Sequence, residues 1–246
     1  MFKTLRVISL SMVVGLLVSA CSSVEKNSNT PEGAFAIAQE YDNGERYEEA
    51  LRRYTDIKNK FPYSNYATKS ELAMADVYYK QESYAEAQVS YQMFKDLHPT
   101  HSQIDYVQFR IGMSYFNQLP STVDRDLTLA NDAILNLTDL IKKFPNSEYV
   151  PEAKEKRTAA IKMLAEKEEY IADFYFKRKI YGSALGRYEG LYKNYGGLGF
   201  ESKALSRAAI SAAKIGDAPK AKQLADILFS KYPNTPEANA VKKELK

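Results

Sequence analysis

Tyr84-Ala85-Glu86-Ala87-Gln88-Val89-Ser90-Tyr91-Gln92-Met93-Phe94-Lys95-Asp96-Leu97-His98-Pro99 decides the fold, because the chain writes this pattern five times. Counting back from Pro99 gives His98 at −1, Tyr91 at −8, Ala87 at −12 and Tyr84 at −15. The same offsets from Pro62 give Phe61, Tyr54, Ala50 and Tyr47. Pro145 gives Phe144, Leu137 and Ala133, and Pro233 gives Tyr232, Ala225, Ala221 and Ala218. One copy lacks its proline, yet Gly196 in that place gives Tyr195, Tyr188, Ala184 and Tyr181. Self-similarity at this period is the mark of stacked helical hairpins, each burying one face on the next.

The chain between the copies is helical in period. Ala34, Ile37, Ala38 and Tyr41 fall on one helix face, Gly44 ends that helix, and Tyr47–Leu51 begins its partner. Phe61-Pro62 stops the partner, since proline lacks an N–H and clashes with the preceding turn. The second pair is expected over 68–80 and 83–97, with Ser83 as N-cap. The third begins near Ile104 and is lengthened by the turn 119–126 before 127–144. Asn146-Ser147 then offers an N-cap to a run without glycine that reaches about Ile180. At ~1.5 Å per residue it would extend about 45–50 Å, a spine joining two halves. Residues 182–195, 201–215 and 218–231 complete the pairs, and 236–246 reads as a capping helix.

The expected fold is therefore all-α: a tetratricopeptide-repeat superhelix of five helical hairpins with a long central helix and a short C-terminal cap. The repeats fall at about 33–66, 67–102, 103–146, 147–198 and 199–234, with the cap at 235–246. Alanine at −12 in all five units suits a close crossing of the two helices of a hairpin, and the −8 residue fills the space between neighbouring units.

The N-terminus carries a different signal. Met1–Arg6 is a short basic stretch and Val7–Val18 a short apolar one, too short to span a bilayer comfortably. Val18-Ser19-Ala20-Cys21 follows and resembles the bacterial lipobox, in which cleavage after residue 20 leaves Cys21 lipid-modified. Acyl chains hold a protein on a membrane by about 0.8 kcal/mol per buried CH₂. Ser22 and Ser23 follow with no Asp, a pattern that in Gram-negative lipoproteins implies the outer membrane, facing the periplasm. Residues 21–32 read as a flexible polar tether.

Several classes of chemistry find no support. Beyond the first twenty residues there are 32 basic and 31 acidic residues, so no strongly basic face for nucleic acid is expected. Cys21 is the one cysteine, which excludes an internal disulfide. His98 and His101 flank Pro99 in a turn without a supporting acid or cysteine cluster, so no metal is expected. No phosphate loop, HExxH or GxSxG occurs, and the repeats leave no room for a catalytic domain; neither enzyme activity nor a cofactor is expected.

Closer matches carry a resemblance. His98–Val107, Phe144-Pro145-Asn146-Ser147 with Tyr149, and the run Tyr170, Ala172, Phe174-Tyr175, Arg178, Tyr181, Arg187, Glu189-Gly190 are similar to the BamD family. These are outer-membrane lipoproteins of the β-barrel assembly machinery, and the likeness covers nearly the whole mature chain. Gly196 departs from the family's repeat proline, and the insertion in the third repeat is shorter. The resemblance implies a non-catalytic scaffold. Its C-terminal repeats would dock on the last POTRA domain of the BamA-type barrel subunit and contact other Bam lipoproteins. Its N-terminal repeats would receive the C-terminal segments of unfolded outer-membrane proteins. Arg187, with Glu189 beside it, matches the family arginine that pairs with the POTRA domain. For the substrate segment a groove of Tyr63, Tyr66, Tyr78 and Tyr79 is expected, since tyrosine offers both ring and hydroxyl; packing between repeats is the alternative for Tyr78 and Tyr79. The competing assignment is a periplasmic repeat adaptor for peptidoglycan or cell-division machinery.

Overall fold

The computed structural model describes residues 27–245. The signal segment and Cys21 lie outside them. Among the described residues eleven α-helices follow one another, each packed chiefly on its neighbours in sequence. They are α1 (Pro31–Asn43), α2 (Tyr47–Lys60), α3 (Asn65–Lys80), α4 (Tyr84–Leu97), α5 (Ile104–Asn117), α6 (Thr128–Lys143), α7 (Val150–Lys177), α8 (Tyr181–Asn194), α9 (Glu201–Lys214), α10 (Ala218–Lys231) and α11 (Pro236–Glu244). This is a tetratricopeptide-type superhelix, and no strand occurs among the described residues.

The repeat columns are its core. Ala50, Ala87, Ala133 and Ala184 have no exposed surface, and neither have Tyr54, Tyr91, Leu137 and Tyr188. The units do not share one core. Ala38, Ala50 and Tyr54 form a first cluster, Ala87, Tyr91 and Ile111 a second, Phe109, Leu137 and Ala153 a third, and residues from Ala165 to Val241 a fourth. Where α5 meets α6 there is no room for a side chain at one glycine: a Cβ on Gly112 would sit 2.7 Å from Leu137 Cδ2.

Four of the five hairpin turns place one residue in the left-handed region, at the same repeat position; the longer α5–α6 turn has none. Glu45, Glu82, Lys179 and Gly216 have φ of 57°, 60°, 62° and 86°. Each lies seventeen residues before Pro62, Pro99, Gly196 or Pro233. Only the last is glycine, so three turns hold a strained non-glycine residue.

Several boundaries differ from expectation. Helix α1 begins at Pro31, inside the stretch read as tether. Thr30 caps it by accepting from Gly33 N at 3.1 Å, and the chain before it is pinned by Asn27 O accepting from Thr30 N at 3.1 Å. Ser83 stands at an N-cap position but makes no side-chain cap bond, and α7 starts from Tyr149. Ser147 donates instead to Asp105 Oδ2 at 2.7 Å. The central helix has 28 residues, about 42 Å at ~1.5 Å per residue, shorter than expected because Arg178 ends it before the left-handed Lys179.

Candidate partner-binding surfaces

Arg187 and Glu189 both sit on α8, but the helix sends them to different neighbours, as a separation of two residues requires. Arg187, 46% exposed, donates from Nη1 to both carboxylate oxygens of Glu168 on α7, at 3.0 and 3.2 Å. Glu189 accepts from Lys220 Nζ on α10 at 2.6 Å, and this hydrogen bond raises the Lys220 ammonium above its ordinary pKa. Arg187 is thus open to a partner but already paired, and Glu189 does not join it in one site.

The four tyrosines expected to line one groove are not brought together. Tyr66 opens α3 while Tyr78 and Tyr79 close it, a separation of about 18–20 Å at ~1.5 Å per residue. Tyr63 is wholly exposed in the loop before α3. Tyr66 packs on Phe35, with ring centroids 5.5 Å apart. Tyr79 packs edge-on to Tyr84 and Tyr91, lies under the Arg110 guanidinium and accepts from Asn117 Nδ2 at 2.9 Å. Tyr78 borders a shallow hollow with Val89 and Ser90 of α4. A hollow of about 480 Å³ in the first unit lies elsewhere, between α1 and α2. Ile37, Ile57 and Phe61 line it, with Arg53, Asp56 and Lys60.

His98 and His101 serve the turn. Both rings pack on Phe94, at 4.8 and 5.1 Å, and His98 Nε2 meets Glu71 Oε2 at 2.6 Å. No group of three or more potential ligands is gathered for a metal among the described residues. No helix among them is long and apolar enough to cross a membrane.

A half-buried polar device between units was not foreseen. Asp76 on α3 accepts from Tyr91 on α4 at 2.5 Å and from Tyr106 on α5 at 2.7 Å. Asp173 on α7 likewise accepts from Tyr188 on α8 and from Lys203 on α9, the latter at 2.9 Å. Each carboxylate therefore ties both helices of its own hairpin to the next unit. The signal was present, since Asp76 and Asp173 both lie 23 residues before the closing position of their repeat, Pro99 or Gly196. Burial raises the Asp76 carboxyl above its usual range, against the hydrogen bonds of Tyr91 and Tyr106 and the charges of Arg110 and Lys80. Burial also pushes up Asp173, but hydrogen bonds from Tyr188 and Lys203 and the charges of Lys203 and Lys177 outweigh it, so its carboxyl lies below that range.

The family described as "YfiO: Outer membrane lipoprotein" matches residues 27–227. The chain is 29% identical to the outer membrane protein assembly factor BamD of Rickettsia prowazekii, over 95% of this chain and 94% of that one. It is 27% identical to the factor of the same name from Neisseria meningitidis serogroup A, over 93% and 92%. Among solved structures it is similar to the TPR2AB domain of yeast Sti1, at 16% identity and a TM-score of 0.45, over 88% of this chain and 83% of that one.

Proposed function

The chain belongs to the YfiO family of outer membrane lipoproteins, and from that premise we propose that it is a non-catalytic scaffold of the outer-membrane β-barrel assembly machinery. Its relatives carry the name of assembly factors over nearly their full length, which supports a role in protein assembly for a chain built of stacked hairpins. In this reading Cys21 carries the lipid, residues 1–20 are its cleaved signal, and the repeats face the periplasm.

Docking on the POTRA region of a BamA-type subunit is assigned to the C-terminal units. The observation that supports it is Arg187, exposed on α8; the resemblance to the family assigns it the role of the pairing arginine. A partner carboxylate exchanges with Glu168 for the guanidinium, so no bare charge has to be desolvated before contact. Capture of unfolded outer-membrane protein segments is assigned to the N-terminal units. The support is the 480 Å³ hollow of α1 and α2, with Tyr63 and Tyr66 at the start of the following unit; Tyr78 and Tyr79 belong to the packing between units 2 and 3.

The test is a detergent-extracted pull-down with tagged full-length protein, followed by mass spectrometry. Recovery of a POTRA-containing barrel protein is expected, and Arg187→Glu should reduce it while the helical circular dichroism signal persists. Recovery of cell-wall enzymes without the barrel protein would overturn the assignment.

A further inference from the structure

The left-handed turn residue gives a common ruler for α1, α3, α7 and α9, the first helices of the four hairpins that have one. Five residues before it stand Val77, Phe174 and Ser211, in α3, α7 and α9; nine before it stand Ala73, Tyr170 and Arg207. In α3 this face is covered by the preceding hairpin: Val77 is 0% exposed and, with Ala73, packs among Ala50, Tyr54 and Ile57 of α2. Ser211 is 0% exposed as well, on a helix packed against α8, α10 and α11. In α7 the corresponding Phe174 is 44% exposed and Tyr170 56%.

The reason lies in helix length. Helix α6 has 16 residues, about 24 Å at ~1.5 Å per residue, and reaches only the first part of the 28-residue α7. Cover ends near Lys167, whose ammonium bonds the carbonyls of Val123 and Arg125 in the loop before α6. Beyond it, α8 and α9 hold the far side of α7 through Ala172 and Glu168 and its flank through Asp173. The first unit carries Glu40 and Ala36 at the same two ruler positions. The α1 positions are polar or small, whereas α7 presents two aromatics.

We propose that the Tyr170–Phe174 face of α7 docks an amphipathic α-helix of another polypeptide, antiparallel to α7 and acidic in its first turn. The occupant takes the place that α2 holds on α3. Helix α2 runs antiparallel to α3, begins with Glu48 and Glu49, and accepts from Gln81 through Glu48 at 3.4 Å. The ruler equivalent of Gln81 is Arg178, which stands between Lys177 and Lys179 and holds its guanidinium 4.4 Å from the Phe174 ring centroid. A cationic triplet in place of a glutamine selects acid at the incoming helix N-terminus, where the helix dipole already favours it. The surface is apart from Arg187, whose partner Glu168 projects from the opposite side of α7 to Tyr170.

Photocrosslinking tests this on the full-length protein in its own membrane. Benzoylphenylalanine replaces Phe174, Tyr170 or, as control, Glu40, and the crosslinked peptide is sequenced by mass spectrometry. Positions 170 and 174 should each join one helical segment of another protein, acidic in its first turn, and the control should not. Tyr170→Glu, read through the crosslinker at 174, and Phe174→Glu, read through the one at 170, should each reduce the adduct about tenfold, as for loss of a central aromatic anchor. Unchanged circular dichroism melts would show both variants folded. Adducts to a second copy of this chain, to lipid or to a β-strand, or no adduct above the control, would overturn the proposal.

Discussion

Tyr91 donates its hydroxyl to Asp76, 15 residues earlier in the chain and 2.5 Å away, and Tyr188 does the same to Asp173 across the same interval. The two pairs are repeats of one device, but they titrate in opposite senses. The Asp76 carboxyl is raised by burial, so its contribution to stability is fully present below the ordinary carboxylate value of about 4 and fades as pH rises through its folded value. The Asp173 carboxyl is depressed, so its contribution is present above about 4 and lost as pH falls through its folded value. Relative to the parent protein, Asp76→Asn should therefore gain in melting temperature from acid to neutral pH and Asp173→Asn should lose. Circular dichroism melts across that range check it; parallel slopes would refute the assignment.

The first unit has the tyrosine without the acid. Tyr54 Oη is buried and unpartnered, because exposed Gln39 stands 15 residues before it where Asp76 precedes Tyr91. Tyr54→Phe should then be neutral or slightly stabilising. Tyr91→Phe takes a hydrogen bond from a half-buried carboxylate and should cost about 1.5–3 kcal/mol. Urea unfolding of both variants decides between this and a uniform role for the column.

Three of the four left-handed turn residues are not glycine. Lys179→Gly and Glu82→Gly should each stabilise by roughly 1 kcal/mol by relieving Cβ strain at φ near 60°, and Gly216→Ala should destabilise by a similar amount. Equal effects of opposite sign at equivalent turns, measured by thermal melts, would establish the ruler used for α7.

The repeat offsets made the hairpins, their order and most core positions legible, because a small residue at −12 and a large one at −8 are needed wherever two helices cross. The groove was not legible. A run such as Tyr78-Tyr79 looks alike whether it faces solvent or the next unit, and only the path of α5 turns Arg110 and Asn117 onto Tyr79. Arg187 was picked by motif, while its pairing with Glu168, nineteen residues away, depends on how α7 and α8 cross. The Asp76 and Asp173 column was readable at a fixed offset, but an acid at a core-facing position looks like a surface charge until its tyrosine is seen.

Gly112 stands where α5 packs tightly on Leu137 of α6. A methyl group there would lie 2.7 Å from Leu137 Cδ2, 2.8 Å from Cγ and 3.3 Å from the Leu137 backbone nitrogen. The side chain can give a little, but Leu137 is fully buried and the backbone contact is tight. Gly112→Ala should therefore cost about 1–3 kcal/mol by overpacking, despite alanine's better helix propensity. Leu137→Ala on top of it should recover part of the loss, a non-additivity that a double-mutant cycle would measure.

The Arg187–Glu168 pair sets the terms on which the C-terminal units meet a partner. Both side chains are partly exposed, so the pair itself should contribute only about 0.2–1 kcal/mol to folding, and Glu168→Gln should barely change the melting temperature. Its effect on docking has the opposite sign to that of Arg187→Glu. With Glu168 neutral, Arg187 no longer has a competing carboxylate, and binding to an acidic partner surface should tighten at low salt and lose the advantage as salt screens it. Arg187→Glu should weaken the same binding, leaving two like charges facing across α7 and α8. Titration of the full-length protein with the POTRA region of a barrel subunit at two salt concentrations reads both changes. If Glu168→Gln and Arg187→Glu shift affinity in the same direction, Arg187 acts through the fold and not through contact with the partner.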